Sequence, residues 1–331
     1  MKIALEVAPT PQTAQFASQV GVRHAVIGGP DSPSGRVDYA QLERIQELFA
    51  QYDLEVCAVE NVPSHFYDQV MFGLPGRDRQ LDNYCATIEA IGRAGIPILG
   101  YNWMLLGGIS TDQVRGRGGA RLRRFDLEEA LRNPAAALDW RNPRGGGAIR
   151  IPDREVSSEE VWDNLAYFLE RVLPVAESSK VKLAAHPDDA PIPSFMGVAR
   201  ILNSTASLQR VIDLVPSPCN GLDLCQGTVA EMAGTDPIDA IRHFGRQGKL
   251  FFAHFRAVQG QLPGIFHEVF MDEGDWDMVA AAKAYQEVGF DGPIRADHTP
   301  WLVGENEWAH RGFAFEIGYM RGLVQALEAL G

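Results

Sequence analysis

The sequence predicts an α/β protein folded as a closed (β/α)8 TIM barrel with a loop insertion after strand four. Three observations predict it. Eight short apolar runs recur along the 331 residues, and each is followed by a stretch with helical signals. The first run leads into "EVAPTPQT", which lacks the glycine-rich phosphate turn usual in a doubly wound open sheet. No linker composition divides the chain, so residues 1–331 read as one domain with residues 103–156 inserted in it.

Each element has its own signal. "KIALEV" (2–7) is the first strand, followed by a loop, a cap and a helix in "APTPQTAQFASQVG". "HAVIGG" (24–29) precedes the helical "YAQLERIQELFAQYD" (39–53). "LEVCAVE" (54–60) precedes residues 77–95, where Leu81, Tyr84, Ile88 and Ile91 recur at three- and four-residue steps and give one apolar face. "IPILGYN" (96–102) is the fourth strand. After the insertion, residues 157–179 open on a serine with Glu159 and Glu160 in the first turn, a helix start. "VKLAAHP" (181–187) is followed by a helix expected over "VARILNSTASLQRVIDLV", and "NGLDLCQG" (220–227) by "DPIDAIRHFG". "KLFFAHFR" (249–256) and "GPIRADH" (292–298) complete the eight, each with a helix behind it.

Bulk properties narrow the function. A net charge of -13 disfavours nucleic acid and anionic membranes as partners, since both need a basic surface. It leaves room for a small anionic substrate gripped by a local cation. Cys57, Cys85, Cys219 and Cys225 show no CxxC spacing, so no disulfide framework is expected. The start "MKIALEVAPTPQ" lacks the long apolar core of a signal peptide, and no run reaches the ~20 apolar residues of a membrane span, so a cytoplasmic location is expected. Association into a homo-oligomer is expected as well.

In such barrels chemistry gathers at the C-terminal ends of the strands. Strands five to eight end in His186, Cys225, His254 and Asp297, with His298 next to the last. Imidazole, thiolate and carboxylate are ligands for divalent transition metals. Each residue has a plainer reading alone: a hydrogen-bonded rim histidine, an inert buried thiol, a helix-capping aspartate. The metal reading explains all four positions together. Neighbours in a strand face opposite ways, so Asp297 and His298 serve one pocket only if the chain turns there, as Pro300 allows.

The motifs "HPDD" (186–189), "LCQGT" (224–228), "HFRAV" (254–258) and "RADH" (295–298) resemble those of the mannonate dehydratases, sugar-acid dehydratases among the xylose-isomerase-like barrels. Residues 73–104 and the stretch from "IFHEVFMDEGDWDM" to "GFDGPIRADH" are similar to the same family, and the resemblance runs from about residue 55 to the C-terminus. It implies a Mn2+ site held by His186, Cys225, His254 and Asp297, a proton-transfer role for His298, and loss of water from D-mannonate to give 2-keto-3-deoxy-D-gluconate. On ligand softness alone Fe2+ or Zn2+ would also suit, and Co2+ is a further candidate.

Two departures stand out. The family continues its Asp-His pair with Gly-Arg, where this chain has Thr299-Pro300. The family also has a catalytic Tyr before the last helix, whereas this chain has no Tyr between His298 and Tyr319, and Trp308 stands near that place. The partner of His298 is therefore missing, replaced by a residue such as His310, or supplied by the insertion. There "VRGRGGARLRRF" (114–125) carries five arginines and no acid, and suits a lid over an anionic substrate. Candidate substrate-binding residues are His65, Arg121, Arg256, Trp308 and His310. Asp188 and Asp189 either orient ligands or cap the next helix. A sugar isomerase or epimerase on the same metal barrel, and a non-catalytic sugar-acid binder, are the alternatives.

Overall fold

The computed structural model describes residues 1–139 and 153–330. Eight parallel strands close into a barrel: β1 (Lys2–Glu6), β2 (His24–Ile27), β3 (Glu55–Glu60), β4 (Ile98–Asn102), β5 (Lys182–His186), β6 (Asn220–Cys225), β7 (Leu250–His254) and β8 (Pro293–Arg295). Each pairs with its neighbour in sequence, and β1 pairs with β8 to close the ring. All eight expected strands are present at the expected places.

Two apolar clusters hold the fold. The larger lies between strands and helices, where the helix Arg77–Arg93 buries Leu81, Tyr84, Ile88 and Ile91. Each such side chain contributes about 1.5–3 kcal/mol on burial. The smaller cluster contains Ala4, Ala58, Ala184 and Phe252. Each sits two residues before a polar strand-end residue, respectively Glu6, Glu60, His186 and His254. Strand alternation therefore puts the polar residues one layer above this plug, on the inward face.

Helix boundaries follow local chemistry. Ser157 caps Ser158–Ser179 by accepting from Glu160 N, and Asp277 caps Met278–Glu287. One expectation fails. The helix after β5 begins only at Thr205, capped by Ser204, and Val198–Ala199 is instead a short strand paired with Ser194–Phe195. Ser204 competes for backbone donors and starts the helix where it stands.

Residues 103–139 are more structured than a loop. Val114–Arg115 pairs with Arg121–Leu122, and Arg124–Phe125 adds to the hairpin of Ala257–Gln259 and Phe266–Val269 that follows β7. The Arg121 and Trp301 backbones exchange hydrogen bonds of 3.0 and 2.9 Å, and Arg117 pairs with Asp272 at 2.6 Å. This part of the insertion is thus fastened to the loops after both β7 and β8. Residues 140–152 of the expected insertion lie outside the described residues.

Candidate metal centre and active site

Barrel register brings the ends of β5, β6 and β7 level. Cys225 is directly opposite His254 in the β6/β7 pair. One nitrogen of His186, the sulfur of Cys225 and one nitrogen of His254 all lie within 4.8 Å of one another, and all three residues are buried. Nδ1 of His186 is 2.6 Å from the Pro187 carbonyl, to which it donates, leaving Nε2 for another partner. Cys225 also starts the short helix Gln226–Glu231, its sulfur accepting from Thr228 N.

The surrounding charges favour ligand forms. Burial alone would push the Cys225 thiol up, but Arg256 beside it and the neighbouring imidazoles of His186 and His254 hold it well below its ordinary value. Arg256 Nε donates to the sulfur at 3.2 Å. Nε2 of His254 is 3.2 Å from both Glu60 Oε1 and Asp223 Oδ2, and Nδ1 is 3.4 Å from Asp297 Oδ2. These contacts are close but off the line of a hydrogen bond, so both nitrogens of His254 and both oxygens of Asp223 are buried without one. Buried N, S and N donors with unspent lone pairs fit a divalent transition ion.

Asp297 stands beside this trio. Its Oδ1 accepts from Arg295 at 2.6 Å, and its Oδ2 is 3.3 Å from Arg256 Nε. Arg295 also pairs with Glu60. Burial pushes Glu60 up, but Arg295 and His254 together bring it down to about 2. β8 ends at Arg295, so the chain has left the strand before Asp297 and His298, which lets both face the mouth.

His298 is 26 % exposed. Its Nδ1 is 3.0 Å from Glu268 Oε1 and 2.6 Å from Arg123 Nη1, and its Nε2 is 3.7 Å from Asp297. Arg123 also reaches Glu268 at 2.6 Å and Asp189 at 3.3 Å. Asp188 accepts from Leu202 N at 2.7 Å and lies 3.5 Å from Arg200.

The expected substrate residues separate. Arg256 is 1 % exposed and donates to Glu231 at 2.8 Å, Thr228 at 2.9 Å and Cys225. Arg121 is exposed with its guanidinium over the Trp301 ring, and Arg123 is the insertion arginine brought into the site. His65 lies after β3 and pairs with Asp31 at 3.1 Å. Trp308 and His310 pack on each other and on Phe16, and His310 pairs with Glu305 at 2.8 Å. Glu60, Asp223, Glu268 and Arg295 escaped the sequence reading, and Arg123 was one of five insertion arginines that it left undistinguished. Strand alternation gave a signal for two of them, Glu60 as a strand-end residue and Asp223 two places before Cys225.

Comparisons with known proteins bear on the family and the fold. The model of the family described as D-mannonate dehydratase (UxuA) matches residues 10–139 and 149–330. The chain is 32% identical over 301 residues to mannonate dehydratase 2 of Halalkalibacterium halodurans, covering 84% of each chain. It is 31% identical over 313 residues to the mannonate dehydratase of Brachyspira hyodysenteriae, covering 88% of this chain and 87% of that one. The crystal structure of mannonate dehydratase from Streptococcus suis serotype 2 superposes with a TM-score of 0.86 at 26% identity, covering 100% of this chain and 96% of that one. A D-psicose 3-epimerase from Clostridium cellulolyticum H10, at 12% identity and a TM-score of 0.64 over 98% of this chain and 99% of that one, shares the fold. The chain belongs to the D-mannonate dehydratase (UxuA) family.

Proposed function

We propose that this protein is a metal-dependent hydro-lyase that converts D-mannonate to 2-keto-3-deoxy-D-gluconate. The observation that carries the reading is the buried His186, Cys225 and His254 trio beside a partly exposed His298. These three residues, with Asp297 at their side, would hold the ion. Mn2+ is the first choice, and Fe2+, Co2+ and Zn2+ are the alternatives. When bound, the ion supplies a Lewis acid for the oxygens of the sugar acid and for charge that builds beside its carboxylate.

The chain's own residues handle protons and position. Overall, the proton on C2 and the hydroxyl on C3 leave as one water, so each proton that a side chain gives to the hydroxyl is restored by the one taken from C2. The resulting enol becomes the 2-keto product. Nδ1 of His298 lies between the Arg123 guanidinium and the Glu268 carboxylate, so that pair fixes the ring and leaves Nε2 turned away from it. With a proton on Nε2, His298 presents it to the departing hydroxyl. Glu268 holds Arg123 and the imidazole in one place. Residues 103–139 act as a lid, and Arg123 supplies the positive charge at the mouth that a sugar carboxylate needs. Among the described residues no helix is long and apolar enough to cross a membrane, and we assign the protein to the cytoplasm as a homo-oligomer.

The test is turnover of D-mannonate by manganese-loaded protein, followed as formation of the 2-keto-3-deoxy acid. His298→Asn and Cys225→Ser should each abolish it. Product from neither mannonate nor any other hexonate, or full activity in Cys225→Ser, overturns the reading.

A further inference from the structure

His254 belongs to two groups of buried donors at once. One is His186, Cys225 and His254; the other is Glu60, Asp223 and His254. Asp223 precedes Cys225 by two residues on the same face of β6, so the second group reaches one layer deeper into the barrel. An imidazole ligates an ion through one nitrogen, and in the neutral ring the other carries the proton. The two ends of the His254 ring therefore cannot do the same job.

We propose that His254 meets the metal through Nδ1, and that Asp223 and Glu60 are positioning residues that keep its proton on Nε2. This rests on the metal reading above and specifies it. Nδ1 is on the side of the ring facing Asp297, whose Oδ2 is 3.4 Å away. That oxygen is in turn 3.3 Å from Arg256 Nε, which is 3.2 Å from the Cys225 sulfur. The links join Nδ1 to the residues around the thiolate, and the choice of nitrogen rests on what Nε2 already faces. Nε2 lies instead between two carboxylate oxygens at 3.2 Å each.

Charge decides between the two ends. Asp297 already has Arg295 and Arg256 against it. Asp223 is 1 % exposed, and its oxygens have no hydrogen bond from any other described residue. The proton is therefore worth most on Nε2, where it answers the less compensated carboxylate. The deeper group is a poor cation site by comparison, because the Arg295 guanidinium already lies on Glu60. A carboxylate behind a ligating histidine fixes the ring and raises its basicity, and its loss typically weakens metal binding by about 10- to 100-fold.

The experiment is NMR of the full-length protein labelled with 15N in histidine and loaded with 113Cd2+, with His186→Gln and His254→Gln used to assign signals. Coupling of cadmium to Nδ1 of His254, with a hydrogen on its Nε2, is the expected result. Coupling to His254 Nε2 overturns this inference and leaves the metal reading standing. Binding of cadmium that involves neither His254 nitrogen, or no binding, overturns both. In parallel, Mn2+ affinity measured by chelator competition should fall about 10- to 100-fold in Asp223→Ala and less in Asp223→Asn, which keeps an acceptor oxygen. Unchanged affinity in Asp223→Ala would overturn the positioning role.

Discussion

Arg123 Nη1 lies 2.6 Å from Nδ1 of His298 and the same distance from Oε1 of Glu268. One guanidinium carried on the insertion thus touches both a mouth imidazole and a buried carboxylate from the hairpin after β7. A hydrogen bond to a charged group contributes about 1.5–3 kcal/mol. Arg123→Ala should therefore lower kcat/KM for mannonate about 10- to 100-fold, and Arg123→Lys should recover only part, because an ammonium lacks the planar fork. Arg121→Ala should stay within about twofold. Steady-state kinetics of the three variants check this, and wild-type kcat/KM in Arg123→Ala would refute it.

Removal of metal should abolish turnover and leave the fold intact, since the apolar clusters form without it. Chelator-treated protein should keep its circular dichroism spectrum and regain activity on addition of Mn2+. Cys225→Ser replaces a thiolate with a neutral hydroxyl, so its metal affinity should fall by at least about 10-fold. Metal content after dialysis is the measurement, and a Cys225→Ser protein that retains stoichiometric metal would count against the trio.

Gly227 makes room for Arg256. A Cβ there would meet Arg256 Cγ at 2.6 Å and its Cζ and Nε at 2.8 Å, and Arg256 is too firmly held to move. Gly227→Ala should cost about 1–3 kcal/mol, as overpacking in a filled interior does. Gly318, in the helix His310–Leu330, has nothing within 4 Å of such a Cβ. Gly318→Ala should be neutral or stabilise by up to about 1 kcal/mol. Denaturant unfolding of the two variants compares them directly, and equal stabilities would show that the space around Gly227 is not limiting.

Burial pushes the Cys57 thiol up to about 12 from 9.0. In the folded chain the thiol keeps its proton, while in the unfolded chain it ionises near 9. Its contribution is therefore fully present below pH 9 and is lost as pH rises toward 12. The slope approaches about 1.4 kcal/mol per pH unit in that window. Cys57→Ala should show a shallower fall in Tm between pH 9 and 11 than the wild type. Parallel curves for the two proteins would mean that Cys57 is not the group responsible.

The residue order by itself determined the barrel and the candidate metal trio. Apolar runs with helices behind them are local patterns, and a ligand at the end of a run is carried to the mouth by the strand that precedes it. Only the tertiary structure decided which charged groups meet. Arg123 and His298 are 175 residues apart, and Arg295 and Glu60 are 235 apart. Their contacts exist because β8 closes against β1 and the insertion folds back onto the loops after β7 and β8. The same closure brought Arg256 onto Glu231, Thr228 and Cys225. Five arginines in a row of twelve residues have nearly the same local chemistry, so the sequence gives no reason to prefer Arg123 over Arg121. Strand register and loop pairing choose between them, and those are set by hydrogen bonds between segments far apart in the chain.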